Sequence, residues 1–90
     1  MTFRLSATAE RHLDEIYEYI RKDKPEAALG VIERILDGLE QLRRFPNSGR
    51  PGRAGTRELV LPPYVVVYRM AEDVVDVLSV FHSGRKYENL

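Results

Sequence analysis

The six residues His82-Ser83-Gly84-Arg85-Lys86-Tyr87 bring an imidazole, a guanidinium, an ammonium and a phenol together. Groups of this kind can cleave RNA. A base deprotonates a 2′-hydroxyl, cations hold the in-line phosphate, and an acid protonates the leaving oxygen. The same residues also suit a polar strand end followed by a solvated tail. On this segment alone the plainer reading carries more weight.

Other reactive side chains are scattered. The serines Ser6, Ser48, Ser79 and Ser83 have no elbow motif around them. The glycines of Gly49-Arg50-Pro51-Gly52-Arg53-Ala54-Gly55 match neither a phosphate-binding loop nor a dinucleotide fingerprint, and they read as turn residues. Asp14 and Glu18 form a like-charged i,i+4 pair suited to a solvated helix face. His12 reads as a surface or helix-packing histidine. Tyr64 and Tyr68 fall on one strand face with Val66, as core or interface aromatics rather than a stacking platform. With two histidines and no cysteine, neither a protein metal site nor a disulfide is expected, and no cofactor is implied.

The elements that must position these groups follow from periodicity. Phe3-Arg4-Leu5 alternates like a short strand. Ser6 stands where a helix N-cap belongs, and Ala9, Leu13, Ile16, Tyr17 and Ile20 recur at helical spacing, predicting a helix over residues 7–22. Asp23 is the expected cap of a second helix with Pro25 in its first turn. Ala28, Ile32, Ile35, Leu39 and Leu42 step by four, three, four and three, until Phe45-Pro46 stops the helix. Turn chemistry fills 47–55. Strands are predicted at Thr56–Leu61, Tyr64–Met70 and Val74–His82, with Pro62-Pro63 and Ala71-Glu72-Asp73 as connections. The order is β-α-α-β-β-β. An α+β domain over 1–90 is expected, with an antiparallel helical hairpin packed on a small, mainly antiparallel sheet.

Fourteen basic residues balance fourteen acidic ones, which argues against a dedicated nucleic-acid binder. The charge is nonetheless uneven. Arg43, Arg44, Arg50, Arg53 and Arg57 lie in a stretch without acids, whereas acids outnumber bases between Glu10 and Glu40. No apolar run is long enough to span a membrane and no secretory signal is visible, so a cytoplasmic protein is expected. A chain of this length has a thin stability margin, which a tightly held partner would widen.

The order and spacing of Ala9-x-x-x-Leu13-x-x-Ile16-x-x-Tyr19-Ile20, Phe45-Pro46-x-x-Gly49-Arg50-Pro51-Gly52, Thr56-Arg57-Glu58-Leu59, Tyr64-Val65-Val66-Val67-Tyr68-Arg69 and His82-x-x-Arg85 resemble toxins of the RelE/ParE superfamily. That resemblance implies a type II toxin–antitoxin system, in which a labile antitoxin wraps a small stable toxin. The RelE-like branch cuts messenger RNA on the ribosome. Its pattern has two lysines alternating on the strand after the loop, an arginine after the aromatic of the next strand, and an arginine and often a tyrosine near the carboxy terminus. Here Leu59 and Val65 replace central cations, while Arg57, His82, Arg85 and Tyr87 form the alternative ribonuclease set.

The ParE-like branch poisons DNA gyrase by protein binding and needs no catalytic set. The arginine loop looks more like this branch, which makes Arg50, Arg53, Arg57, Arg85 and Tyr87 the implied target contacts. The expected partners are a ParD-like antitoxin and DNA gyrase. DNA would be met only through the antitoxin, in a hetero-oligomer associated with plasmid stabilisation. Apolar surface around Leu13, Tyr17, Ile20 and Leu36 is the expected antitoxin groove.

Overall fold

A computed structural model describes residues 2–84. Strand β1 (Thr2–Leu5) leads into helix α1 (Ala7–Asp23) and helix α2 (Pro25–Arg44). The short strand β2 (Arg50–Pro51) and a 3-10 turn (Arg53–Gly55) precede β3 (Arg57–Leu61), β4 (Tyr64–Ala71) and β5 (Val74–His82). The sheet order is β1-β5-β4-β3-β2. Only the β1–β5 pair is parallel; Thr2 lies opposite Val74 and Leu5 opposite Val77. The expected α+β order is therefore present, with one addition. β2 lies inside the stretch assigned to turns, because Arg50 and Pro51 pair with Glu58 and Arg57. Two residues are too few for alternation to reveal a strand.

Ser6 fixes the start of α1 in three ways. Its hydroxyl accepts the Ala9 N–H at 3.0 Å and donates to the Leu78 carbonyl at 3.0 Å, while its own N–H donates to Val77 at 2.9 Å. A capping hydroxyl of this type contributes about 1 kcal/mol. α2 starts differently from expectation. Asp23 closes α1 and Lys24 stands at the N-cap, with no side-chain cap bond. Pro25 at the first helical position needs no donor there, and its fixed φ favours the turn. On α1, Arg21 donates to Glu18 at 2.7 Å, and this hydrogen bond holds the Glu18 carboxyl below its ordinary value.

One face of the sheet carries the core. Val66 and Tyr68 of β4 and Val75, Val77 and Val80 of β5 pack with Leu13, Ile35, Leu39 and Leu42 of the helices. Each fully buried aliphatic side chain contributes about 1.5–3 kcal/mol. Gly38 lets α2 approach β3, since a Cβ there would lie 2.5 Å from the Leu61 side chain. That contact also settles which face β3 presents: Leu59 and Leu61 point at α2, so Glu58 and Val60 point away. The Pro62-Pro63 peptide is cis; the Pro62 carbonyl accepts from Arg34 at 2.7 Å and the Pro63 carbonyl from the Ser83 N–H at 2.8 Å.

Candidate functional site

Three groups tie the arginine loop to the sheet. The fully buried Tyr68 hydroxyl accepts the Gly49 N–H at 2.9 Å and donates to the Pro46 carbonyl at 2.8 Å. A Cβ on Gly49 would stand 2.5 Å from that hydroxyl and 2.9 Å from the Glu58 carbonyl, so glycine is required there. The Arg57 guanidinium donates to the Gly49 carbonyl at 2.7 Å and to the Asn47 carbonyl at 3.4 Å. Arg57, expected as a target contact or an RNA-binding cation, sets its partly exposed guanidinium against the loop backbone. Further along, Gly52 N–H reaches the Thr56 carbonyl and the Thr56 hydroxyl reaches the Arg53 carbonyl. This turn holds Ala54 at φ 52°, a left-handed conformation that costs a non-glycine residue about 1–2 kcal/mol.

The other arginines of the loop face solvent. Arg50 is paired with Glu58 at 3.0 Å. Arg53 has no ion pair among the described residues. The face of the sheet turned away from the helices carries Glu58, Val60, Val65 and Val67 by alternation with the core residues. At its far end Asp76 lies between Arg4 at 3.3 Å and Arg69 at 3.8 Å.

A cleft of about 960 Å³ runs from this open face, round the free end of β5, to α1. Arg53, Glu58 and His82 line it, joined by His12 from α1. The His12 Nδ1 accepts the Val80 N–H at 3.2 Å, past the point where β1 stops pairing with β5. The His82 Nδ1 accepts the Gly84 N–H at 3.1 Å, and its ring meets Tyr64 edge-on at 5.5 Å. His82 and Arg57 do not converge: His82 stands opposite Tyr64, whereas Arg57 stands opposite Tyr68, four residues further along β4. Arg85 and Tyr87 lie outside the described residues. The part taken by His12 was not anticipated, because one histidine on a helix carries no sign of which strand end it will meet.

The expected apolar groove is altered in the same way. Leu13 is only 9% exposed and belongs to the core, so it offers no docking surface. Its heptad-like spacing marks core and groove residues alike. Ile20 packs against the core and Tyr17 is half-buried, while Leu36 and Leu29, two helical turns apart on α2, are exposed.

A family model described as the ParE toxin of the type II toxin–antitoxin system parDE matches residues 3–87. The chain belongs to the ParE toxin family. Among proteins similar to this family member is one named "Putative toxin Y4kP" from Sinorhizobium fredii. It is 46% identical over 87 residues, covering 93% of this chain and 90% of that protein. Toxin RelE2 of Caulobacter vibrioides is 35% identical over 74 residues, covering 81% and 84%. Among solved structures, the chromosomal ParDE system of P. aeruginosa matches with a TM-score of 0.83 at 25% identity, over 91% of this chain and 95% of that one. The RelBE2 toxin–antitoxin complex of Mycobacterium tuberculosis matches with a TM-score of 0.70 at 26% identity, over 90% and 95%. This ParE-family chain is thus a type II toxin of the RelE/ParE superfamily, with relatives named after both branches. No helix of its described residues is long and apolar enough to cross a membrane.

Proposed function

We propose that this chain inhibits DNA gyrase by protein binding and is neutralised by a cognate ParD-like antitoxin. The observation that carries this reading is the open sheet face. There Glu58 and Val67 line the cleft, a carboxylate and an apolar side chain where a transferring phosphate would need cations. The family model and the ParDE neighbour support the same branch. Arg50 and Arg53 are the target contacts of this proposal, carried on a loop whose backbone is already ordered before binding. Such ordering lowers the entropy lost on association. The protein acts in the cytoplasm, in a hetero-oligomer with its antitoxin when neutralised. It needs no cofactor and meets DNA only through the antitoxin.

The test is a plasmid supercoiling assay with purified gyrase and antitoxin-free protein. Inhibition, or accumulation of cleaved plasmid, is expected. Arg53→Ala is expected to weaken it by about thirtyfold, the size of an interface hot spot. No effect at concentrations that arrest growth overturns the proposal.

The second reading is a ribosome-dependent messenger RNA endoribonuclease. It draws on the relative named RelE2 and on the place of His82 in the cleft. It requires cleavage of ribosome-bound message that His82→Gln abolishes while antitoxin binding is retained.

A further inference from the structure

Strand β1 covers only part of the β5 edge. It stops at Leu5, opposite Val77, while β5 continues to His82. Past that point two side chains take the place of a strand. The Ser6 hydroxyl donates to the Leu78 carbonyl at 3.0 Å, and the His12 Nδ1 accepts the Val80 N–H at 3.2 Å. The Ser83 N–H points back toward β4, at the Pro63 carbonyl, whereas the Val80 N–H points outward. Alternation along the ladder therefore turns the Val80 carbonyl and the His82 N–H to the outer edge as well. Such a row of backbone donors and acceptors is a template for another strand.

The other edges of the sheet are blunt. β2 has two residues, and its Pro51 has no N–H; β1 has four, with the exposed Arg4 among them. Leu78-Ser79-Val80-Phe81-His82 contains no proline, lysine or arginine. Fourteen basic and fourteen acidic residues leave no net charge, so no overall repulsion keeps two copies apart. The cleft beside this edge is open, with Val80 and His82 on one wall and Glu15 and Ile16 of α1 on another. A second β5, running antiparallel about a twofold axis, would set Val80 opposite Val80 and the His82 N–H opposite the Leu78 carbonyl. Two of the groups it needs are the Leu78 carbonyl and the Val80 N–H, which Ser6 and His12 hold.

We propose that the β5 edge past Val77 is a surface for a second copy of this chain, and that His12 holds it shut. An antiparallel partner at Val80 needs both the N–H and the C=O of that residue, and the imidazole takes the first. Ser6 guards the neighbouring carbonyl but is also the cap of α1, so His12 is the guard that can be removed alone. The bond requires an unprotonated Nδ1, so the neutral ring carries its hydrogen on Nε2. The surface is independent of the gyrase proposal, since it requires only the toxin itself.

The experiment is sedimentation equilibrium of the antitoxin-free protein beside His12→Leu and His12→Asn, with amide hydrogen exchange followed at Val80. The parent is expected to stay monomeric. His12→Leu fills the place of the ring without an acceptor. It should strengthen self-association by about ten- to a hundredfold, the gain of one net hydrogen bond in each copy. In that dimer the Val80 amide should stay protected, because the partner's β5 carbonyl replaces the imidazole. His12→Asn offers a carboxamide oxygen to the same N–H and should return the protein to the monomer. Amide spectra check that each variant folds. The proposal is overturned by a parent that dimerises as tightly as His12→Leu, or by a His12→Asn protein that does so. It is equally overturned by a His12→Leu protein that stays monomeric with fast Val80 exchange, whether or not antitoxin then closes the edge. A dimer whose Val80 amide exchanges freely joins elsewhere and overturns it too. So does a His12→Leu chain that fails to fold, which would make the histidine a support of the core rather than a guard.

Discussion

Tyr68 shows how much one hydroxyl can hold. It is fully buried, yet its oxygen satisfies an N–H and a carbonyl on the segment that carries Arg50 and Arg53. Tyr68→Phe keeps the ring and strands both backbone groups, which should cost about 1–3 kcal/mol in a urea melt. The loop amides should then exchange faster with solvent, while those of α2 change less. The glycine, proline and arginine residues at 49–55 made this segment legible as a turn. The need for glycine at position 49 was not legible, because the hydroxyl that excludes a side chain comes from 19 residues away. Nor was the role of Arg57. Leu59, Val60 and Leu61 are all apolar, so alternation could not say which face of β3 meets α2, and a one-residue change reverses every side chain. With the face settled by Gly38, the strand turns Glu58 and Val60 to the open side.

The helices were the most legible elements, because regular apolar spacing fixes both type and buried face; the strands were legible in type from their β-branched runs. Leu39 and Leu42 on α2 are buried as their spacing predicts, and the strand expected over Tyr64–Met70 runs one residue further, to Ala71. The errors lie at ends and short pieces, namely the cap of α2 and the strand β2. Two glycines on one helix separate propensity from packing. Gly30 has nothing within 4 Å of where a Cβ would stand, whereas at Gly38 the Cβ would meet Leu61. Gly30→Ala should therefore stabilise the protein by about 0.5–1 kcal/mol. Gly38→Ala should lose that gain to overpacking and lower the melting midpoint, because Leu61 must move against Leu59 and α2. Thermal melts of the two variants beside the parent check both signs. Equal stabilisation would mean that the helix and sheet separate freely.

At the scale of the whole molecule, core burial is concentrated on one sheet face, and α2 leaves Leu29 and Leu36 exposed on its outer side. On the proposed reading these two side chains are where the antitoxin's apolar segment settles. An antitoxin present at a hundred times its dissociation constant should raise the unfolding free energy by about 2.7 kcal/mol. In a Leu29→Glu, Leu36→Glu double variant that increment should vanish while the stability of the free toxin changes little. An unchanged increment would place the antitoxin elsewhere. The balanced total charge gave no sign of an uneven surface, whereas residue order did, through the acid-free arginine stretch. The parallel pairing of β1 with β5 joins Thr2 to Val74, nearly the full length of the described chain. A contact of such sequence separation forms only after the intervening chain has been made. During synthesis the first strand has no neighbour until the last one emerges from the ribosome. The sheet is thus completed only once β5 has been made, and a nascent chain stopped before β5 cannot build the cleft or brace α1 through Ser6 and His12.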